Sequence, residues 1–383
     1  MSLIHQIDNF SSRIINWTPS ITLPSKFDRL LGAFLTKFLL FSGLASWRSD
    51  FTDSDLNLRA SCFISEARKK GWQLEVLRGP FGFTIYSRAK KNGKRVAFEG
   101  LPLTDLSDKY KAGFIDNKGK IKIILKKNDF PVAPGKLFWF WQIRAAVNYG
   151  RELDYPLVVK PSRGSGSEGV TTNIGNSSRL KKAVNVALRY GPTFIVEKYI
   201  TEAFVHRATV VNFKFVACVK QVPANVVGDG VSTIRELIER KNRDKRRGEW
   251  GQRRFVLYKI VQNKTTIKLL ADQNYNLDSV LSASKIIDLQ RDPFLKLGGD
   301  LIEVTPRIHP DNLQLFRTVA TFFAVRLVGI DFICPDISVS WRNQRCAILE
   351  LNSLPFIELH HFPSTGASQN VARALVEALA KYY

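Results

Sequence analysis

An α+β architecture is predicted for this chain, on three observations. Segments with strand and helix patterning are mixed along its 383 residues, without the regular alternation of a doubly wound sheet. Hydrophobic residues make up 45% and charged residues 24%, the balance of an ordinary globular protein. The length suffices for two or three subdomains with sizeable cores, and no internal repeat or heptad run interrupts it.

The elements follow in order. Residues 1–56 form an N-terminal extension with an apolar helix at 30–47, LLGAFLTKFLLFSGLASW. Lys37 near the middle and two glycines argue against a membrane span, so the helix is expected to pack in the fold or on a partner. Contact with a membrane surface is the alternative. No signal-peptide pattern precedes it, and a cytoplasmic protein, peripheral to a membrane at most, is expected. Residues 57–116 read as a small α/β domain. Leu56, Ala60, Phe63, Ile64 and Ala67 recur at helical spacing up to Gly71. Strands at 72–77, 82–87 and 96–98 follow, with Asn92-Gly93 as a hairpin turn.

Residues 117–383 form the larger unit. It is expected to run as a helix at 118–128, an extended piece at 130–134 and a helix at 138–148 that buries Phe138-Trp139-Phe140-Trp141. A strand at 157–160, a glycine-rich loop at 162–169, a strand at 170–174, a helix at 179–190 and a buried strand at 193–197 come next. Strands at 208–211, 215–222, 326–334 and 346–351 and helices at 312–324 and 368–382 complete it.

The net charge of +23 raises the local concentration of anions, whether ATP, acidic peptide, nucleic acid or anionic lipid. The densest basic stretch, 235–254, reads equally as a solvated helical face with a loop or as an anion site. Cys62, Cys218, Cys334 and Cys346 lack CxxC or metal-ligand spacing and read as small core residues of a reducing compartment.

Three elements carry chemistry. In VVKPSRGSGSEGV a strand ends at Lys160 and the loop holds Gly164, Gly166 and Gly169. Glycines let backbone N–H groups approach phosphate, and Lys160 adds a point charge. The loop lacks the GK[ST] ending and following helix of a Walker A motif, and alone it also reads as a plain hairpin. In FIVEKYI an apolar strand ends at Glu197, which suits an adenine hinge or an ordinary strand end. In Gly329-Ile330-Asp331 and Glu350-Leu351-Asn352, acids and an amide at strand ends offer hard oxygen ligands for Mg²⁺, or simply face solvent. Glu350 and Asn352 stand two apart on one strand and so share a face.

In this order, Lys118, VVKP with its loop, EKYI, GID and ELN resemble an ATP-grasp ligase. The stretch VPANVVGDGVSTIRELIERKNRDKRRG at 222–248, LGGD at 297–300, His309-Pro310 and HHFPSTG at 360–366 extend the resemblance over residues 107–383. They are similar to the amide-forming module of cyanophycin synthetases and the ligase module of bifunctional glutathione synthetases. The resemblance implies an ATP-grasp fold, two α+β subdomains clamping ATP, behind the smaller N-terminal domain. It implies a ligase that joins an amino-acid or short-peptide carboxylate to an amine through an acyl phosphate.

By position, Lys118 and Lys160 would meet the ATP phosphates, under a lid that includes Ser162, Gly164, Ser165, Gly166 and Gly169. Glu197, Tyr199 and Ile200 would line the adenine, and Glu202 would take the ribose. Asp331, Glu350 and Asn352 would hold Mg²⁺, as two ions, with Mn²⁺ as a substitute. Arg207 and Lys160 would face the reacting centre, and Asn225, Asp229, Asn242, Asp244 and Arg247 would shape the acceptor side.

The sequence departs from the family in three places. TEAFVHR is one residue longer after the hinge; Gln221 stands where relatives carry Arg; Pro355-Phe356 stands where Pro-Gly is usual. A chain ending at Tyr383 without a Mur-ligase-like domain is not expected to make cyanophycin by a two-site cycle. The expected partners are ATP and amino-acid or peptide substrates, with homo-oligomerisation and no nucleic acid. The alternative is a degenerate ATP-grasp protein that binds nucleic acid or anionic membrane through its basic surface.

Overall fold

The structure, a computed structural model, describes residues 40–53, 55–79, 82–103, 112–163, 168–252 and 254–382. Most of the apolar stretch 30–47 and the loop residues Gly164, Ser165 and Gly166 lie outside the described residues. The described end of that stretch departs from the expected helix. Helix persists only to Phe41, Gly43 turns the chain at φ +70°, and Ser46–Arg48 forms strand β1, where Trp47 pairs with Leu77.

Helix α1, Leu58–Lys69, starts where the Asn57 side chain accepts the Ala60 N–H at 2.9 Å. Strands β2 (Gln73–Gly79), β3 (Gly82–Lys91) and β4 (Lys94–Glu99) complete an antiparallel sheet in the order β1-β2-β3-β4. Asn92 and Gly93 both take positive φ, 51° and 80°, as a two-residue hairpin turn requires. Phe63, Ile64 and Ala67 of α1 belong to one hydrophobic core with Val211, Ala217 and Leu327 from later in the chain. Helix α1 and its sheet are therefore fused to the body of the molecule by a shared core.

Helix α2 (Ala112–Ile115) leads to α3, Lys118–Lys127, capped by the Asn117 side chain on Lys120 N–H at 3.0 Å. Ile121 and Leu125, four apart, bury one stripe of α3 and leave Lys118 and Lys122 together on the next.

The second sheet runs β5-β8-β6-β7, from β5 (Gly135–Trp139), β6 (Leu157–Pro161), β7 (Thr171–Ile174) and β8 (Thr193–Lys198). Helices α4 (Ile143–Glu152) and α5 (Ser177–Ala187) cover one face, where Phe138 stacks on Phe194 at 5.8 Å. The helix expected at 138–148 is thus corrected: residues up to Trp139 pair as strand with β8, and α4 begins at Ile143. Successive strand residues point to opposite faces, so four consecutive aromatics cannot all turn inward. Only Phe138 is buried; Trp139, Phe140 and Trp141 are 44%, 45% and 63% exposed.

The third sheet is five-stranded and antiparallel. Strands β9 (Phe204–Val211) and β10 (Phe215–Val222) form its first hairpin. Residues 223–290 then leave it as a small unit: β11 (Asn225–Val227), α6 (Ile234–Asn242), β12 (Arg247–Gly248), β13 (Leu257–Tyr258), α7 (Lys264–Ala271) and β14 (Ile286–Asp288). Thr233 and Glu236 cap α6 reciprocally, at 2.8 and 3.2 Å. The chain returns through β15 (Asp300–Glu303), α8 (Pro310–Phe322), β16 (Leu327–Cys334) and β17 (Ala347–Asn352), giving the order β15-β10-β9-β16-β17. Helices α9 (Glu358–His361) and α10 (Val371–Tyr382) close the fold. Every residue of β16 is buried, so its apolar run shows no alternation. Cys62, Cys218 and Cys334 are buried, Cys346 is half-buried and all four are free thiols. No described helix is long and apolar enough to cross a membrane.

A candidate nucleotide and metal centre

The register of the third sheet lines up polar residues in its buried middle. Arg207 of β9 lies opposite Asp331 of β16, and Asp331 lies opposite Glu350 of β17. Directly opposed carboxylates repel, so the row needs cations. Arg207 supplies one: its Nε pairs with Asp331, its Nη2 donates to Asp331 Oδ2 at 2.8 Å and stands 3.9 Å from Glu350 Oε1. Lys118 supplies another, 2.9 Å from Glu350 Oε2. Burial raises the Asp331 carboxyl, and the Glu350 charge adds to the rise against Arg207. Burial would raise Glu350 as well, but Lys118, the Asp331 hydrogen bond and Arg207 hold it below the usual range. Glu350 is therefore the stronger acid of the pair.

A second cluster sits on the second sheet. Glu197, at the end of β8, lies 2.6 Å from Lys160 of β6 and 2.7 Å from Lys122 of α3. Burial opposes its ionisation, yet Lys160 and Lys122 together keep its pKa low. Burial lowers the pKa of Lys122, and Glu197 offsets part of that fall. One turn of α3 thus ties the two sheets together, Lys118 to the third and Lys122 to the second. The sequence reasoning missed Lys122, although its spacing of four from Lys118 signalled it.

The residues present fit a hard divalent cation. Asp331 and Glu350 are two carboxylates at one point, with Asn352 Nδ2 3.5 Å from Glu350 Oε1 on the same strand face. Among the described residues no group of three or more His, Cys, Asp or Glu side chains gathers to hold a metal. An all-protein cage is absent there, and Mg²⁺ characteristically completes its shell with phosphate oxygens and water.

Other predicted residues are placed as follows. The Ser162 hydroxyl is buried and bonded to Thr193 Oγ1, so it is committed to the protein. Gly169, at φ +68°, leaves no room for a Cβ, which would come 2.5 Å from the Tyr190 ring. The Glu197 carboxylate faces Lys160 and Lys122. Tyr199 N–H donates to Pro156 O at 3.0 Å, and Ile200 packs against Ala133, Ile333 and Ala347. Glu202 is exposed in the turn between β8 and β9, at φ +54°.

Of the residues expected to shape an acceptor side, Asn225 and Arg247 converge on the buried Asp300, which Lys241 also meets at 2.5 Å. Asp229, Asn242 and Asp244 do not join them. Asp229 ties the 229–232 turn and Arg240, Asn242 clamps the backbone of Ile260, and Asp244 pairs with Arg246. Their polar atoms are spent on local loop structure, as short Asp and Asn side chains readily are.

The family model described as D-ala D-ala ligase C-terminus matches residues 125–226. A bifunctional glutathione synthetase from Pasteurella multocida superposes with a TM-score of 0.65 at 24% identity, over 86% of this chain and 44% of that one. The chain has the ATP-grasp fold. Cyanophycin synthetase of Synechocystis sp. is 37% identical over 266 residues, 69% of this chain and 30% of that protein. The glutathione biosynthesis bifunctional protein GshAB of Clostridium perfringens is 27% identical over 328 residues, 85% of this chain and 41% of that protein. The chain thus spans about a third of the length of the cyanophycin synthetases it matches. ATP-grasp ligases in general use ATP and Mg²⁺. In this ATP-grasp fold the two charged clusters lie on the second and third sheets.

Two buried histidines flank the ATP-grasp row and make a test of stability. His360 Nε2 shares a hydrogen bond with Thr209 Oγ1 at 2.8 Å, and His206 Nδ1 lies 3.6 Å from Cys334 Sγ. Burial pushes His206 down to about 4 and His360 down to about 3. Unfolded histidine titrates near 6.5, so the unfolded chain takes protons that the folded one refuses. Stability from these rings is complete above about pH 6.5 and is lost as pH falls towards 4. Denaturant unfolding should show a loss of about 2 kcal/mol for each ring between pH 7 and pH 5. His206→Gln should flatten that slope.

Proposed function

We propose that this protein is an ATP-dependent carboxylate–amine ligase. The observation that carries the reading is the pair of charge clusters joined by α3: Lys122, Glu197 and Lys160 on one sheet, Lys118, Glu350, Asp331 and Arg207 on the other. Lys160 and Lys122 would take the polyphosphate. Asp331, Glu350 and Asn352 would hold Mg²⁺, two ions with Mn²⁺ as a substitute, and the metal's chemistry is to neutralise phosphate charge.

The reaction consistent with this arrangement has two steps. A substrate carboxylate attacks the γ-phosphorus, an O–P bond forms, and ADP leaves with the electrons of the broken bond. An amine then attacks the acyl carbon, a C–N bond forms, phosphate leaves, and the amine proton is lost. Arg207 sits where charge develops between the two, with its buried Nη1 lacking a hydrogen-bond partner among the described residues. Positioning and charge stabilisation suffice for such transfers, and no side-chain nucleophile is needed. The substrates are proposed to be amino acids or short peptides, as in the resemblance.

The test is Mg²⁺-dependent ADP and phosphate release over a panel of amino-acid and dipeptide pairs, with Glu350→Ala as control. Release that needs two partners and vanishes in the variant is the expected result. Salt-sensitive nucleic-acid binding without release from any pair would favour the binding-protein alternative, for which the exposed Trp139, Phe140 and Trp141 are the specific observation. Homo-oligomerisation and membrane-surface contact through residues 30–47 belong to the same proposal, and sizing and vesicle co-sedimentation read them.

A further inference from the structure

We propose that Arg59, on the N-terminal helix α1, is a positioning residue for the organic-substrate side of this centre; the proposal rests on the ligase reading. Arg59 lies 295 residues before the segment it grips. Its Nη1 donates to Leu354 O at 3.0 Å, its Nε stands 3.4 Å from Glu358 Oε2, and its guanidinium carbon lies 4.1 Å from the centre of the Phe356 ring. One planar side chain therefore holds three alternate residues of the segment 353–358.

That segment runs directly from Asn352, the last candidate metal ligand, to α9, and residues 353–357 have no regular structure of their own. Its shape comes from what holds it. Asp116 binds Ser353 through N–H at 2.8 Å and Oγ at 2.6 Å, and Gly100 lies so close that a Cβ would come 2.9 Å from Leu354 Cδ2. Arg59 fixes the remainder.

The segment also borders the reacting residues. A Cβ on Gly329 would come 2.9 Å from Pro355 and 3.4 Å from Arg207 Nη1, so Pro355 and Arg207 crowd one point. Glu358 is buried and lies in the fields of both Arg59 and Arg207, which act against the rise that burial imposes on its pKa. Charges thus alternate from Arg59 through Glu358 and Arg207 to Asp331 and Glu350. A substrate that meets the γ-phosphate beside Asn352 must lie against this segment. A Lys at 59 would keep the charge and lose the planar fork that makes three contacts at once.

Two measurements on the full chain test this. In steady-state ADP release, Arg59→Lys should raise KM for at least one organic substrate tenfold or more, with KM for ATP within twofold. An equal rise in both, or no rise, overturns the proposal. Amide hydrogen exchange needs no turnover: residues 353–361 should exchange at least tenfold faster in Arg59→Lys, with residues 193–198 unchanged. Unchanged exchange at 353–361 also overturns it. Phe356→Leu removes the ring and keeps the arginine, so it should give the same KM split if Arg59 variants fold poorly. If no substrate pair turns over in the parent protein, the ligase reading fails, and the exchange result by itself decides whether Arg59 anchors the segment.

Discussion

Glu350→Gln is expected to lower ATP-dependent turnover by at least about a thousandfold while leaving the fold intact. The substitution keeps shape and removes the charge that Lys118 meets at 2.9 Å. Its effect on stability should be small for a specific reason. Burial and the Glu350 charge both raise the Asp331 carboxyl, so removing that charge favours its ionisation. With a neutral residue at 350, Asp331 can ionise beside Arg207, and one negative charge stays in the row. What is lost is the strand-end carboxylate next to Asn352. ADP release and thermal unfolding should be measured on the same preparations. Full activity in the variant would remove Glu350 from the metal-holding set.

The second large effect separates two members of one ion cluster. Lys160→Met leaves Glu197 paired with Lys122, so the fold should persist, whereas ATP binding should weaken by about a hundredfold or more. Glu197→Gln should do more damage. It leaves the buried Lys160 and the half-buried Lys122 facing each other without the carboxylate between them, at a cost of about 3 kcal/mol in stability. Calorimetric titration with ATP and denaturant unfolding of both variants give the contrast. Equal loss of stability in the two would mean that Lys160 is structural and that Lys122 cannot hold Glu197 alone.

Much of this was legible in the sequence because the chemistry sits on short, apolar, well-bounded strands. The strand at 215–222 agrees with β10 residue for residue, and Glu350 and Asn352 share a strand face as their spacing required. Elements failed to match where local pattern had two outcomes. The aromatics at 138–141 read as a buried helix, but pairing of Trp139 with Thr193 takes the chain into β5 first. Asp229, Asn242 and Asp244 carried the right residue types for a polar pocket, yet their side chains close their own turns. Glu358 and Arg59 carried no signal at all, and His360 only as part of the stretch 360–366, because their roles arise from contacts between distant parts of the chain. Lys122 was within reach, since helical spacing puts it on the stripe of Lys118.

Each cation of the centre has a carboxylate beside it: Lys118 has Glu350, Arg207 has Asp331, and Lys122 and Lys160 divide one between them, Glu197. Such a centre attracts chloride, free phosphate or bare nucleotide less than four unpaired cations would, because each must first push a carboxylate off its lysine or arginine. On the proposed ligase reading, a nucleotide that arrives with magnesium would differ: its phosphates would meet the lysines while Asp331 and Glu350 would hold the cation. The paired charges would then favour the metal–nucleotide complex, and bare ATP should compete with it poorly.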